Sequence, residues 1–177
     1  MTIQELTALA EKIGFEHAGA LDPATIELKE EVREMCASGK CAMYDKRWSC
    51  PPGCGTLEEC AGRLRGFRGG ILVQTCGDIE DGFDFEAMME VAAENDRHFD
   101  DFTKALRESG GDFLPMSAGT CTRCAKCTYP DAPCRFPEKR ISSLEAYCMN
   151  VSKLSEKCGM KYINGQNTVT YFGAVFL

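Results

Sequence analysis

The run CTRCAKCTYPDAPC sets Cys121, Cys124 and Cys127 with two residues between each successive pair. That spacing lets three thiolates from one loop reach three irons of a cubane cluster, with Cys134 placed to bind the fourth. The likeness to a bacterial ferredoxin run is partial: six residues separate Cys127 from Cys134, and Pro133 precedes the last cysteine instead of following it. Zinc is the rival, since four thiolates make a closed tetrahedral site and many such sites begin with C-x2-C. Zinc sites usually divide their cysteines into two pairs on separate turns, whereas three thiols within seven residues suit separate irons better than one small ion. The reading favoured from spacing is therefore an iron-sulfur cluster, [4Fe-4S] in type, with zinc as the alternative.

A second group, Cys36, Cys41, Cys50, Cys54 and Cys60, offers five candidates for another four-ligand site. Its spacings are loose, so these thiols converge only if the tertiary fold brings them together. Buried free cysteines also act as small hydrophobes, but five within twenty-five residues would make an odd core. Cys148 and Cys158 read as packing residues. Cys76, at the end of a strand, is near enough to site-forming positions to approach a cluster without being required there. His17 and His98 stand alone, with no arrangement of Ser, Cys or carboxylate that would make a catalytic triad. The acidic run from Asp78 to Glu86 has neither EF-hand nor paired-carboxylate spacing and reads as a solvated turn leading into a helix. Dinucleotide and P-loop fingerprints are missing, as is the C-x3-C-x2-C triad of radical enzymes that use S-adenosylmethionine.

The whole chain sets bounds on these sites. Its 177 residues fit one domain with a core of its own, so metal need not be the fold's only support. Twelve cysteines are the unusual feature in an otherwise ordinary globular composition. The opening MTIQELTALAEKIGF lacks the basic flank and apolar run of a secretory signal, and no later stretch is long enough to span a bilayer. The expectation is a cytoplasmic protein, where reduced thiols point to metal chemistry before disulfides. A net charge of -7 and the lack of a basic stripe argue against nucleic acid as a partner. Local clusters such as Arg63, Arg65 and Arg68, or Arg135, Lys139 and Arg140, read by default as solvated faces.

The elements that must hold the sites follow from periodicity. Thr2 and Glu5 form a capping box before a helix ending at Gly14, and a strand follows over Phe15 to Leu21. Asp22-Pro23 opens a helix toward Cys36, and Thr56 with Glu59 caps another that points Cys60 inward. Ile71 to Thr75 reads as a buried strand. The longest helix carries Phe85, Met88, Met89, Ala92, Phe99, Phe102 and Leu106 as its core stripe. A strand over Asp112 to Ser117, a helix capped at Ser142 or Ser143, and a hairpin-like end from Tyr162-Ile163 to Thr168–Phe176 complete the chain. The fold class expected is mixed α/β (α+β): one domain over 1–177, with a mixed sheet flanked by helices and Cys-rich loops near 36–60 and 119–137.

The stretches CASGKCAMYDKRWSCPP, CTRCAKCTYPDAPCRFPEKRISSLEAY and VTYFGAVFL together resemble a family of cysteine-rich bacterial and archaeal proteins described as predicted metal-binding proteins of unknown function. The resemblance implies a metal-binding fold and no substrate. In such proteins a cysteine on the helix after the CPP segment, here Cys60, is typical, and the position of Cys54 varies. That favours Cys36, Cys41, Cys50 and Cys60 for the first site. Cys148 falls where a small residue such as glycine is expected. The functions consistent with this reading are electron transfer through one or two clusters to a redox partner protein, a cluster-dependent reductase or activase, or a zinc-stabilised interaction module.

Overall fold

In the computed structural model, which describes residues 1–177, α1 (Ile3–Ile13) begins at the expected capping box, with Thr2 and Glu5 exchanging side-chain and backbone hydrogen bonds. Thr56 and Glu59 do the same for α3 (Leu57–Leu64), and Asp84 caps α4 (Phe85–Ser109) through the Ala87 N–H. Strands β1 (His17–Leu21), β2 (Gly70–Asp78), β3 (Leu114–Met116) and β4 (Thr168–Phe176) form one sheet in the order β1-β2-β4-β3. The mixed α/β class and the helices flanking the sheet agree with the sequence reading. The sheet itself is antiparallel at every pairing, where a mixed one was expected. Leu21 pairs with Gly70, so the excursion between β1 and β2 leaves the sheet and rejoins it at the same end, whereas α4 carries the chain from Asp78, opposite Thr168, back to Leu114, opposite Phe176, at the other end. β2 and β3 do run the same way, but β4 lies between them.

Alternation along the strands gives the sheet two apolar faces. Ile71, Val73 and Val175 face α1 and α4, where they meet Leu6, Phe15, Phe99 and Phe102. Leu72, Phe172, Ala174 and Phe176 face the other layer, which holds Cys60, Leu64, Tyr147 and Leu154. The Cys-rich segments belong to that second layer through Cys60 of α3.

Three expected elements differ, each for a local reason. The helix foreseen from Asp22 to Cys36 is a 3-10 turn, Pro23–Thr25, followed by α2 (Glu30–Ala37). Leu28 is drawn out between them to bridge Met149, and the Lys29 N–H donates to the Cys148 carbonyl at 2.8 Å. The helix foreseen from Ser142 is likewise divided into a 3-10 turn, Glu145–Tyr147, and α5 (Val151–Lys157), because Cys148 takes a left-handed conformation at φ 63 and Asn150 caps the second piece. Tyr162 and Ile163 form no strand: Tyr162 stacks flat on Phe172, with ring centroids 5.5 Å apart, so this segment lies across the sheet instead of in its plane.

The core stripe of α4 is also displaced from expectation. Val91, Asn95, His98, Phe99, Phe102, Thr103 and Leu106 are buried, while Phe85 and Met89 are 65% and 67% exposed. Val91 lies over Gly77, one residue from the end of β2, so the turns before it run past the edge of the sheet. His98 has a structural role, its Nδ1 3.1 Å from the buried Thr75 hydroxyl. Close approach of α4 depends on glycine beneath it, since a Cβ at Gly173 would collide with the Phe99 ring and the Met116 carbonyl. Gly173→Ala is expected to destabilise the protein by about 1–3 kcal/mol through overpacking, seen as a lower urea midpoint at constant slope. An unchanged midpoint would mean that Phe99 has room to move aside.

Candidate metal centre

Most of 38–56 and 117–136 forms neither helix nor strand, and each segment is fixed by the other. Arg47 Nη1 donates to the Cys121 carbonyl at 2.8 Å, and Trp48 Nε1 to the Ala132 carbonyl at 3.0 Å. The Cys121 N–H donates to Ser49 Oγ at 3.2 Å, and the Tyr129 hydroxyl to Asp45 Oδ1 at 2.6 Å. Trp48 meets Tyr129 edge to face, 4.9 Å between centroids. Five consecutive residues, Asp45 to Ser49, thus form a strap across the second Cys-rich loop.

Under that strap Cys121, Cys124, Cys127 and Cys134 line a single cavity. Trp48 and Phe136 give it apolar wall, and Arg47, Arg123 and Arg140 bring positive charge to its lining. Burial alone would push the Cys127 thiol up, but backbone hydrogen bonds from Trp48, Tyr129 and Thr128 and the charge of Arg47 outweigh it and hold the thiol below its ordinary range. The surroundings of Cys127 therefore favour its thiolate, the form that binds metal. Arg123 also pairs with Asp100 of α4, tying the loop to the helix on the far side of the sheet edge.

The first Cys-rich segment divides its thiols between two places. Cys36 and Cys41 line an open hollow with Glu145. Burial raises the Cys36 thiol, and Cys41, Glu145 and Cys50 raise it further against the pull of Arg33, which puts Cys41 and Cys50 each within electrostatic reach of Cys36. Cys50 Sγ also lies 3.2 Å from the Thr120 hydroxyl. Cys60 does not line that hollow: it is buried beside Cys54, and like Cys36 it lies within reach of Arg33. Arg33 Nη2 is 3.4 Å from Cys60 Sγ and 3.6 Å from Cys54 Sγ, and donates to the Ala146 carbonyl at 2.6 Å. A hydrogen bond from Cys54, followed by the Arg33 and Arg63 charges, favours the Cys60 thiolate over the burial that opposes it, and the same bond keeps Cys54 protonated.

Of the remaining cysteines, Cys148 is fully buried near Arg33 and Cys60. Cys158 is held against the Ala20 carbonyl, and Cys76 is bound by Asn164 and Thr170 and lines neither cavity. No three Cys, His, Asp or Glu side chains converge to the spacing of a site for one ion. The sequence reading did not single out Arg33, Arg47, Trp48 or Ser49. Its available signal was position: Arg47, Trp48 and Ser49 directly precede Cys50, and Arg33 lies one helical turn before Cys36.

Residues 19–177 match the model of a family described as Predicted metal-binding protein (DUF2284). No curated protein and no solved structure matches the chain.

The role of Arg33 is open to direct measurement in metal-free protein. Arg33→Met removes a charge-assisted hydrogen bond to the Cys60 thiolate, so the most acidic thiol should move up by about one to two pH units. An ultraviolet titration of thiolate absorbance reads that shift. A first step that stays in place would assign it to Cys54 alone.

Proposed function

The chain belongs to this predicted metal-binding family, and we propose that its metal is iron held in a [4Fe-4S] cluster by Cys121, Cys124, Cys127 and Cys134. The observation that carries the reading is the shared cavity lined by four thiols and three guanidinium groups. Four thiolates leave such a cluster anionic, and Arg47, Arg123 and Arg140 offset that charge in a chain whose overall charge is -7. Sulfurs spread around a cavity suit irons at separate corners, whereas a zinc ion gathers four sulfurs at about 2.3 Å. When bound, the cluster supplies one-electron chemistry. The chain's own part is to ligate it, keep water from one side with Trp48 and Phe136, and set its potential through the N–H groups and charges around the thiolates.

Cys36, Cys41, Cys50 and Cys60 are proposed for a second cluster. Such a protein would work by passing electrons to a redox partner or to an enzyme that needs reduction, in the reducing cytoplasm where free thiols persist. No helix is long and apolar enough to cross a membrane. The zinc-stabilised interaction module is the second reading, favoured by the thiolate-rich donor set that both metals share.

Iron, sulfide and zinc analysis of anaerobically purified protein, with its visible spectrum, decides between them. Iron and sulfide in equal amounts with broad visible absorption are expected, and colourless protein with stoichiometric zinc would overturn the cluster. Cys124→Ser should remove one cluster's iron and leave the other's. For the first segment, Cys60→Ser should lower iron content while Cys54→Ser leaves it unchanged, and the reverse result would exchange their roles.

A further inference from the structure

The acidity of this protein is concentrated in one segment, from the end of β2 through the first two-thirds of α4. Between Asp78 and Asp101 there are ten carboxylates and one arginine, a net of -9 against -7 for the entire chain, so everything else is slightly basic. In the same stretch Phe83, Phe85 and Met89 are 81%, 65% and 67% exposed, three large apolar side chains around the overhanging start of α4. Helical spacing places Phe85, Met89, Asp96 and Asp100 on one face. Asp100 pairs with Arg123 at the mouth of the cysteine cavity. An apolar patch with an acidic rim therefore begins past the sheet edge and leads along α4 to the candidate cluster, about 16 Å from Met89 to Asp100 by helical rise.

We propose that this face of α4 is the docking surface for a protein partner with apolar side chains ringed by lysine and arginine, an inference that rests on the redox reading above for the partner's role. Charge decides the occupant. A second copy would bring the same ten carboxylates against these ten, and an anionic lipid surface would be repelled in the same way. A basic partner is drawn in by the rim, buries Phe83, Phe85 and Met89, and comes to rest with its edge beside Arg123. The apolar centre supplies lifetime and the charged rim supplies approach rate and orientation.

The test uses metal-loaded protein and a defined probe, a synthetic amphipathic helix with leucines on one face and lysines on the other, beside a twin in which glutamate replaces lysine. Fluorescence anisotropy should show binding of the lysine peptide only, weakening steeply with salt. The double variant Phe85→Ser/Met89→Ser should weaken it about tenfold or more, and Glu86→Lys/Glu90→Lys should weaken it and flatten the salt dependence. Glu27→Lys, on an exposed residue outside this element, should leave it unchanged. Equal binding of both peptides, or indifference to both α4 variants, would overturn the proposal. So would a concentration-dependent dimer in sedimentation that Phe85→Ser/Met89→Ser dissolves, since the face would then be covered by a second copy. Iron and sulfide measured on the same samples keep the two readings apart: peptide binding to an iron-free protein retains the surface and removes the redox role, whereas an iron-loaded protein indifferent at α4 does the opposite.

Discussion

The hydrogen bonds that pass from Asp45–Ser49 to the loop around Cys121–Cys134 bear more of this architecture than their number suggests. The sheet and its helices have their own apolar layers and would assemble from those alone. The Cys-rich segments have little of that kind to bury, and a chain that stays irregular gives up about 1–2 kcal/mol per residue when it is ordered. Against this stand the bonds of Arg47, Trp48, Ser49 and Tyr129, each contributing about 0.5–1.5 kcal/mol and more where a charge takes part. Four such bonds fall well short of what ordering two segments of that length costs, which gives a bound metal a direct part in holding the loops, since metal binding at such a site is also folding free energy.

Arginine is the second recurring element. Arg47, Arg123 and Arg140 line the cavity of four cysteines, and Arg33 lies between Cys54 and Cys60. Thiolates crowded together repel one another, and each guanidinium makes the ionised form less costly while its fork of donors fixes nearby carbonyls. Arg33 does both, reaching Ala146 and Gly55 carbonyls as well as sulfur. Lysine, with one point charge, would not span those partners. The acid surplus around α4 meets this cluster of basic residues at one place, where Asp96 and Asp100 approach Arg123 and Cys121.

How much of this the sequence disclosed depended on whether a feature was local. The capping boxes of α1 and α3 were legible because Thr2–Glu5 and Thr56–Glu59 carry their own geometry. β2 was legible because Ile71, Leu72 and Val73 make an apolar β-branched and leucine run directly after Gly69-Gly70. The breaks at Leu28 and Cys148 were not, since Leu28 leaves its helix to meet Met149, a partner far along the chain. The exposed Phe85 and Met89 fit a helical stripe as well as Phe99 does, and only the length of the sheet beneath α4 separates them. For the sites, spacing brought Cys121 to Cys134 together on paper. The loose run from Cys36 to Cys60 has no such rule, and the pairing of Cys60 with Cys54 depends on where α3 lands.

That landing has a consequence for how the proposed centres relate. Ser49 and Cys50 meet Thr120 and Cys121: the Ser49 hydroxyl lies 3.2 Å from that of Thr120, which is itself 3.2 Å from Cys50 Sγ, and Ser49 Oγ accepts from the Cys121 N–H. The last residue of the strap and the first ligand candidate of the second loop are therefore held in register, with Cys50 the adjoining candidate of the first. Two groups bound on these cysteines would share a wall made of two hydroxyls and one peptide. Such a wall is thin and polar, and its hydroxyl hydrogens can reorient as charge changes on either side. A change of charge at one site would be felt at the other across these atoms, so the strap that fixes the loops also sets the coupling between them.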